Sequence, residues 1–331
     1  MLEQIVPLWD VFIENKQKNI PMVMTTIVET TGNSYKKSGA MILIDANLKT
    51  YGLISGGCLE SDLAEHSETI FHNRTPKIIT YDLSDDSIFG LGAGCDGEIK
   101  ILMQLIDSQN YYRPFSYLNP EINQAKKSLL ALNHNQDSKL FSEYWFQDDE
   151  KTLLSVTEIE RDKHINPEDY CSIKFKTPLK VAIVGSGIDV IPVCKQVEFM
   201  NWHCYILDHR EARLKQLPDN KNSDKIITEL NNLETIITDF DAVIIMTHNI
   251  GRDAKYLSEF YKTNTPYIGL LGPANRRDKV LTKCELKLSD FENRLFAPVG
   301  LDLHCNSPEQ IALSIVAEIQ LKLNNQRTKN S

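Results

Sequence analysis

Residues Val181–Val190 read VAIVGSGIDV, a short apolar run that ends in two glycines and turns toward a helical pattern. Small and β-branched residues without an alternating polar face suit a strand buried on both sides. Gly185 permits a tight turn, and Gly187 lets a phosphate approach the backbone. The helix that follows offers unpaired N–H groups and partial positive charge at its N-terminus. Asp208 lies 23 residues beyond Gly185, at the end of the run HCYILD, where a ribose-binding acid belongs in such a fold. Val190 holds the third glycine position, which works against close helix–strand packing. The motif fixes a strand–turn–helix start; a bound dinucleotide does not follow from it, because the fold outlives the ligand in many proteins.

Downstream, apolar strands and helical patterns alternate. DAVIIMTHN reads as a strand, GRDAKYLSEFYK as a helix, PYIGLLG as a strand and PANRRDKVLTKC as a helix. A last helix begins near Ser307, where SPEQ supplies a cap, a proline at the first helical position and early acids. Residues 177–331 are therefore expected to form a Rossmann-like, doubly wound parallel sheet with helices on both faces.

Upstream the pattern changes. MLEQIVPLWDVFIENKQKN reads as an amphipathic helix, and PMVMTTIVET, GAMILID, KTYGLIS, KIITYDL and EIKILMQLI as short strands around a helix from Leu59 to Asn73. Residues 1–105 are expected to form a mixed α+β domain. Residues 106–176 are expected to connect the two domains with small structure of their own: a helix in INQAKKSLLALNHN and strands in KTLLSVTEIE and DYCSIKFKT.

The 331 residues are 42% hydrophobic and 24% charged, with a net charge of -9. That balance supports ordinary cores and supplies no basic face for nucleic acid. No run approaches a membrane span, and the N-terminus lacks the order of a signal peptide, so a cytoplasmic protein is expected. Seven cysteines without a CxxC pair are expected to be free thiols in a reducing compartment.

Two cysteines stand apart. Cys58 in ISGGCLESDL and Cys95 in GLGAGCDGE each occupy a glycine-dense turn, where Gly56, Gly57 and Gly94 allow successive N–H groups to converge on an anion. Small buried packing residues would give the same pattern. Cys58 also sits at a helix N-terminus, but the dipole there contributes roughly 0.3–1 kcal/mol against about 1.4 kcal/mol per pKa unit, and Glu60 and Asp62 oppose it. A mostly protonated thiol is expected. Ser34, Lys36 and Lys37, after a Gly-Asn turn, suit phosphate or pterin oxygens or a solvated loop. His248 ends a strand where parallel sheets bind ligands, and Arg276 and Arg277 open a helix after the next one, suiting an anion or surface ion pairs. No ligands fall at finger or HExxH spacing.

Taken in order, GNSYKKSGAMILI, GLISGGCLESDL, GLGAGCDGEIKIL, VAIVGSGIDVIPV, LDHREARL, DAVIIMTHN, YIGLLGPANRR and APVGLDLHCNSPEQIALSIVAEI resemble the XdhC/CoxI family. These are accessory factors for xanthine dehydrogenase and related molybdenum hydroxylases. The resemblance implies an XdhC-type N-terminal domain and a Rossmann-like C-terminal domain. It implies an accessory factor rather than an enzyme: binding of molybdenum cofactor, its protection, its sulfuration with a cysteine desulfurase, and its delivery to a molybdenum hydroxylase apo-enzyme, usually by a homodimer. It makes Cys58 and Cys95 candidate molybdenum or sulfur contacts. His248, Arg276 and Arg277 would supply a second wall. Asp96 departs from the family's glycine-rich second turn and puts a carboxylate beside that site. Two other readings stand: an NAD(P)-dependent oxidoreductase resting on Gly185, Gly187 and Asp208, and an assembly adaptor without cofactor.

Overall fold

The computed structural model describes the chain apart from residues 1, 33–36, 58, 84–96, 120–127, 140, 148–151, 155–165, 176–177, 220–221, 229–239 and 330–331. It divides into two compact units, Met1–Thr177 and Pro178–Ser331.

In the first unit, α1 (Leu2–Gln17) precedes β1 (Met22–Gly32), β2 (Met41–Asp45), β3 (Thr50–Tyr51), α2 (Glu60–Asn73), β4 (Lys77–Asp82) and β5 (Gly97–Ile106). The strands form an antiparallel sheet in the order β3-β2-β1-β5-β4. Its central strands are apolar on both faces, because both are covered. Met22, Met24, Met41, Leu43 and Leu102 pack with Ile5, Leu8 and Phe12 of α1. Val23, Ile27, Ile42, Ile44 and Ile101 pack with Leu59, Leu63 and Ile70 at and along α2.

The stretch placed by its sequence between two domains adds β6 (Ser128–Asn133), β7 (Tyr144–Gln147), β8 (Thr152–Leu154) and β9 (Tyr170–Phe175), a second antiparallel sheet ordered β8-β7-β6-β9. Leu130, Leu132, Ile173 and Phe175 share the core of α1. The helix expected over INQAKKSLLALNHN is instead strand β6 where it is described. Leu and Ala favour a helix in isolation, but β6 pairs on both edges, with β7 and β9, and that pairing overrides propensity. The strand expected over KTYGLIS stops at Tyr51, since Gly52 takes φ +98°.

The second unit runs β10 (Lys180–Val184), α3 (Val190–Phe199), β11 (His203–Asp208), α4 (Glu211–Leu214), β12 (Ser223–Ile227), β13 (Ala242–Ile245), α5 (Ile250–Tyr261), β14 (Tyr267–Leu270), α6 (Ala274–Cys284), β15 (Leu295–Phe296) and α7 (Pro308–Lys329). All strands are parallel, in the order β12-β11-β10-β13-β14-β15. The continuous apolar runs are explained by alternation between two cores. Val181, Ile183, Ala242 and Ile244 face Val193, Val197, Ile315 and Ile319 on one side, whereas Ala182, Val184, Val243 and Ile245 face Leu257, Phe260 and Val280 on the other. The strand order reverses at β10, so the ends of β10 and β13 flank the crevice where ligands bind in doubly wound sheets.

Candidate functional site

In the first unit the glycine turn before α2 is built around an acid. The Glu60 carboxylate accepts from the backbone N–H groups of Ile54 (2.7 Å), Ser55 (2.9 Å) and Gly57 (3.0 Å) and from the Ser55 hydroxyl (2.6 Å). The Ser55 oxygen in turn accepts from the Leu59 N–H at 2.7 Å. Burial alone would raise the Glu60 pKa; the Ser55 hydroxyl and the N–H groups of Ser55 and Ile54 outweigh it and hold the carboxyl below its ordinary value. The anion nest read from the sequence is thus present, but the chain's own carboxylate occupies it, and the Gly57 N–H expected to face a guest is taken. Gly56 and Gly57 have φ +80° and +112°, with no atom within 4 Å of where a Cβ would stand, so their outer faces are open. Position 58 itself lies outside the described residues, but the N–H groups on both sides of it are tied down. Asp62 is committed to the Tyr81 hydroxyl. Lys37 is exposed; Ser34, Lys36, Gly94 and Cys95 also fall outside the described residues.

In the second unit Gly185, Gly187, Asp208 and His248 meet at the C-terminal ends of the strands. Gly185 has φ +126°, and a Cβ there would lie 2.6 Å from the Met246 carbonyl oxygen, so the turn after β10 presses directly on the end of β13. The Gly187 face is covered by Asp189, whose Oδ1 would be 2.4 Å from a Cβ. The other oxygen of Asp189 meets His248 Nε2 at 2.8 Å, and His248 holds a left-handed φ of +60° to reach it.

Asp208 is buried at 3% exposure. Its oxygens accept from the Ser186 hydroxyl (2.7 Å), the Arg210 N–H (2.9 Å), and Arg210 Nε (3.0 Å) and Nη2 (2.8 Å). Burial would raise its pKa, yet the hydrogen bonds from Arg210 and Ser186 bring it well below the usual carboxylate range. His209 Nδ1 lies 2.9 Å from the same carboxylate and 3.2 Å from Arg252 Nη1. Beneath them Tyr256 is buried, and burial followed by the Asp208 charge pushes its hydroxyl up to about 12. Both Asp208 oxygens are therefore engaged, and the ribose-acid role read from its position requires Arg210 to move first.

The two arginines diverge. Arg276 pairs with Asp253, which is 1% exposed and also accepts from the Thr247 hydroxyl and N–H. Arg277 turns to the Ala297 carbonyl (3.1 Å) and to Asp278 (2.9 Å). Among the described residues no three His, Cys, Asp or Glu side chains are grouped as a metal centre requires. The sequence reading missed Glu60, Asp189, Arg210, Arg252 and Asp253 as parts of these sites. Only Arg210 left a local signal, the Asp-x-Arg spacing at the end of β11.

Comparison with known proteins agrees with this architecture. Residues 181–319 match the model of the XdhC Rossmann domain, and residues 16–82 match that of the XdhC and CoxI family. The chain is 27% identical to a probable xanthine dehydrogenase component of Bacillus subtilis, over 94% of each protein. It is 21% identical to the molybdenum cofactor insertion chaperone PaoD of Escherichia coli, over 90% of this chain and 82% of that one. A crystal structure of a xanthine dehydrogenase from Bacillus halodurans superimposes with a TM-score of 0.80 at 27% identity, covering 97% of both chains. An antiparallel domain with the Gly-Gly-Cys turn followed by a parallel sheet with the Gly-Ser-Gly turn, matched along nearly its whole length, places this chain in the XdhC and CoxI family.

Proposed function

We propose that the chain is an accessory factor that takes molybdenum cofactor as cargo, protects it and hands it to a xanthine dehydrogenase-type apo-enzyme. A cysteine desulfurase supplies persulfide sulfur, which a thiol reductant releases as sulfide to replace an oxo group that leaves as water, and the factor acts as a homodimer. The likeness to an insertion chaperone supports this reading. The single observation that carries it on the chain itself is the turn around position 58. Glu60 and Ser55 fix the N–H groups of Gly57 and Leu59, the two residues that flank Cys58 in the chain. The Cys58 thiol contributes one ligand without a closed cage of charges. A carrier needs that balance, because cargo held by a complete ligand set is not released. Metal arrival would deprotonate the thiol and couple binding to proton release. Cys95, on the second turn, is the second proposed contact.

The oxidoreductase reading loses ground, because Asp208 already has its hydrogen bonds met from within. The test is purification from a molybdenum-replete host, followed by metal and pterin analysis of the wild type and Cys58→Ala. The wild type is expected to retain both molybdenum and pterin and the variant to lose most of each. An absence of both from wild type and variant alike overturns the reading in favour of an adaptor without cargo, and equal retention removes Cys58 as a contact.

A further inference from the structure

We propose that the C-terminal end of the parallel sheet is a site for a phosphate monoester, received by Arg252 and Arg210 around the buried Asp208. Charge is the first argument. Arg276 and Asp253 cancel as a pair, and Arg210 is balanced by Asp208. Arg252 has no carboxylate within ion-pair distance among the described residues and meets only the His209 ring at that end. Arg252 therefore brings a guanidinium without a carboxylate of its own beside the Asp208–Arg210 pair, while Asp189 is held against His248, and a phosphate monoester would supply the missing partner.

Layering is the second argument. The carboxylate is 3% exposed, whereas the Arg210 side chain is 40% exposed and His209 30%. The acid lies beneath and the donors lie above, so a ligand arriving from solvent meets N–H groups and not the oxygens. Arg210 spends Nε and Nη2 on Asp208 and keeps Nη1; Arg252 spends Nη1 on His209 and keeps Nε and Nη2. Forked guanidinium donors match phosphate oxygens better than any other side chain does.

The third argument concerns what else the ligand carries. Ile227 stands opposite Asp208 in the β11–β12 register and is 54% exposed, an apolar surface beside the charged one. That favours a nucleotide as the bearer of the phosphate. The proposal uses neither Cys58 nor the cofactor reading, so the two stand or fall separately.

The test is isothermal titration calorimetry of the full chain at low salt with NADP+, NAD+, 2'-AMP, 5'-AMP and inorganic phosphate. NADP+, which bears a monoester, is expected to bind at least about tenfold more tightly than NAD+, which has only a diphosphate diester. Arg252→Ala is expected to weaken NADP+ by about tenfold and Arg252→Lys by less. Tighter binding of the AMPs than of phosphate supports a nucleotide; equal binding supports the same site with a different bearer. Equal affinity for NADP+ and NAD+, no binding by any of the phosphorylated probes at millimolar concentration, or an unaltered Arg252→Ala variant overturns the proposal.

Discussion

Asp208 is a carboxylate that the fold has made hard to protonate, through the Arg210 guanidinium and the Ser186 hydroxyl. Its folded pKa lies below the unfolded value of about 3.9. The stabilisation is therefore complete above about pH 4 and is lost as pH falls through the depressed folded value. Asp208→Asn removes the charge and is expected to cost about 2 kcal/mol at pH 7, discounted for the solvent reaching Arg210. Urea unfolding at pH 7 and pH 3 checks this: the difference between wild type and variant should shrink at the lower pH, and an unchanged difference would remove the ion pair from the account. The sequence made Asp208 visible as a position but not as a partner. A ribose-binding acid and an acid locked by its neighbour occupy the same strand end, and only the rotamer of Arg210 separates them. Glu60 was hidden for a related reason. An acid in the first turn of a helix ordinarily serves the dipole, and nothing in ISGGCLESDL shows the side chain folding back to fill the nest of its own turn.

The strand–turn–helix element after β10 was the most legible part of the chain, since continuous apolar residues, a glycine pair and a following helix admit few other arrangements. Its glycines are not equivalent to those before α2. At Gly185 an alanine would combine a left-handed φ with a Cβ 2.6 Å from the Met246 carbonyl oxygen, a backbone atom that cannot swing aside. At Gly57 an alanine would meet the same kind of φ but open space. Gly185→Ala is expected to cost about 3 kcal/mol or more, and Gly57→Ala about 1–2 kcal/mol. Denaturant midpoints of the two variants compare them directly; equal losses would mean that the contact with β13 contributes nothing. Strand β6 shows where an element escapes sequence reading. SLLALN lacks β-branched residues, and it becomes a strand because β7 and β9 lie on either side. That information sits in residues far along the chain, not in the segment.

At the scale of the molecule, each unit closes its own cores. Trp202, Tyr267, Phe260 and Phe291 are fully buried among residues of the second unit, with Tyr267 stacked on Phe296 at 4.4 Å. The Tyr267 hydroxyl donates to Glu318 of α7, which also accepts from the Gly300 N–H, so the last helix is fastened to the sheet by polar as well as apolar contacts. The first unit is closed in the same way by α1, α2 and its second sheet. A unit of this size with a core on each face of its sheet is large enough to fold alone. Residues 178–331 produced separately are therefore expected to unfold in one cooperative transition in urea, with a parallel-sheet and helix signal in circular dichroism, and to keep the Arg252-dependent binding of NADP+. A broad, non-cooperative transition would show that the parallel sheet depends on the first unit, and the description of the chain as two self-sufficient units would have to be given up.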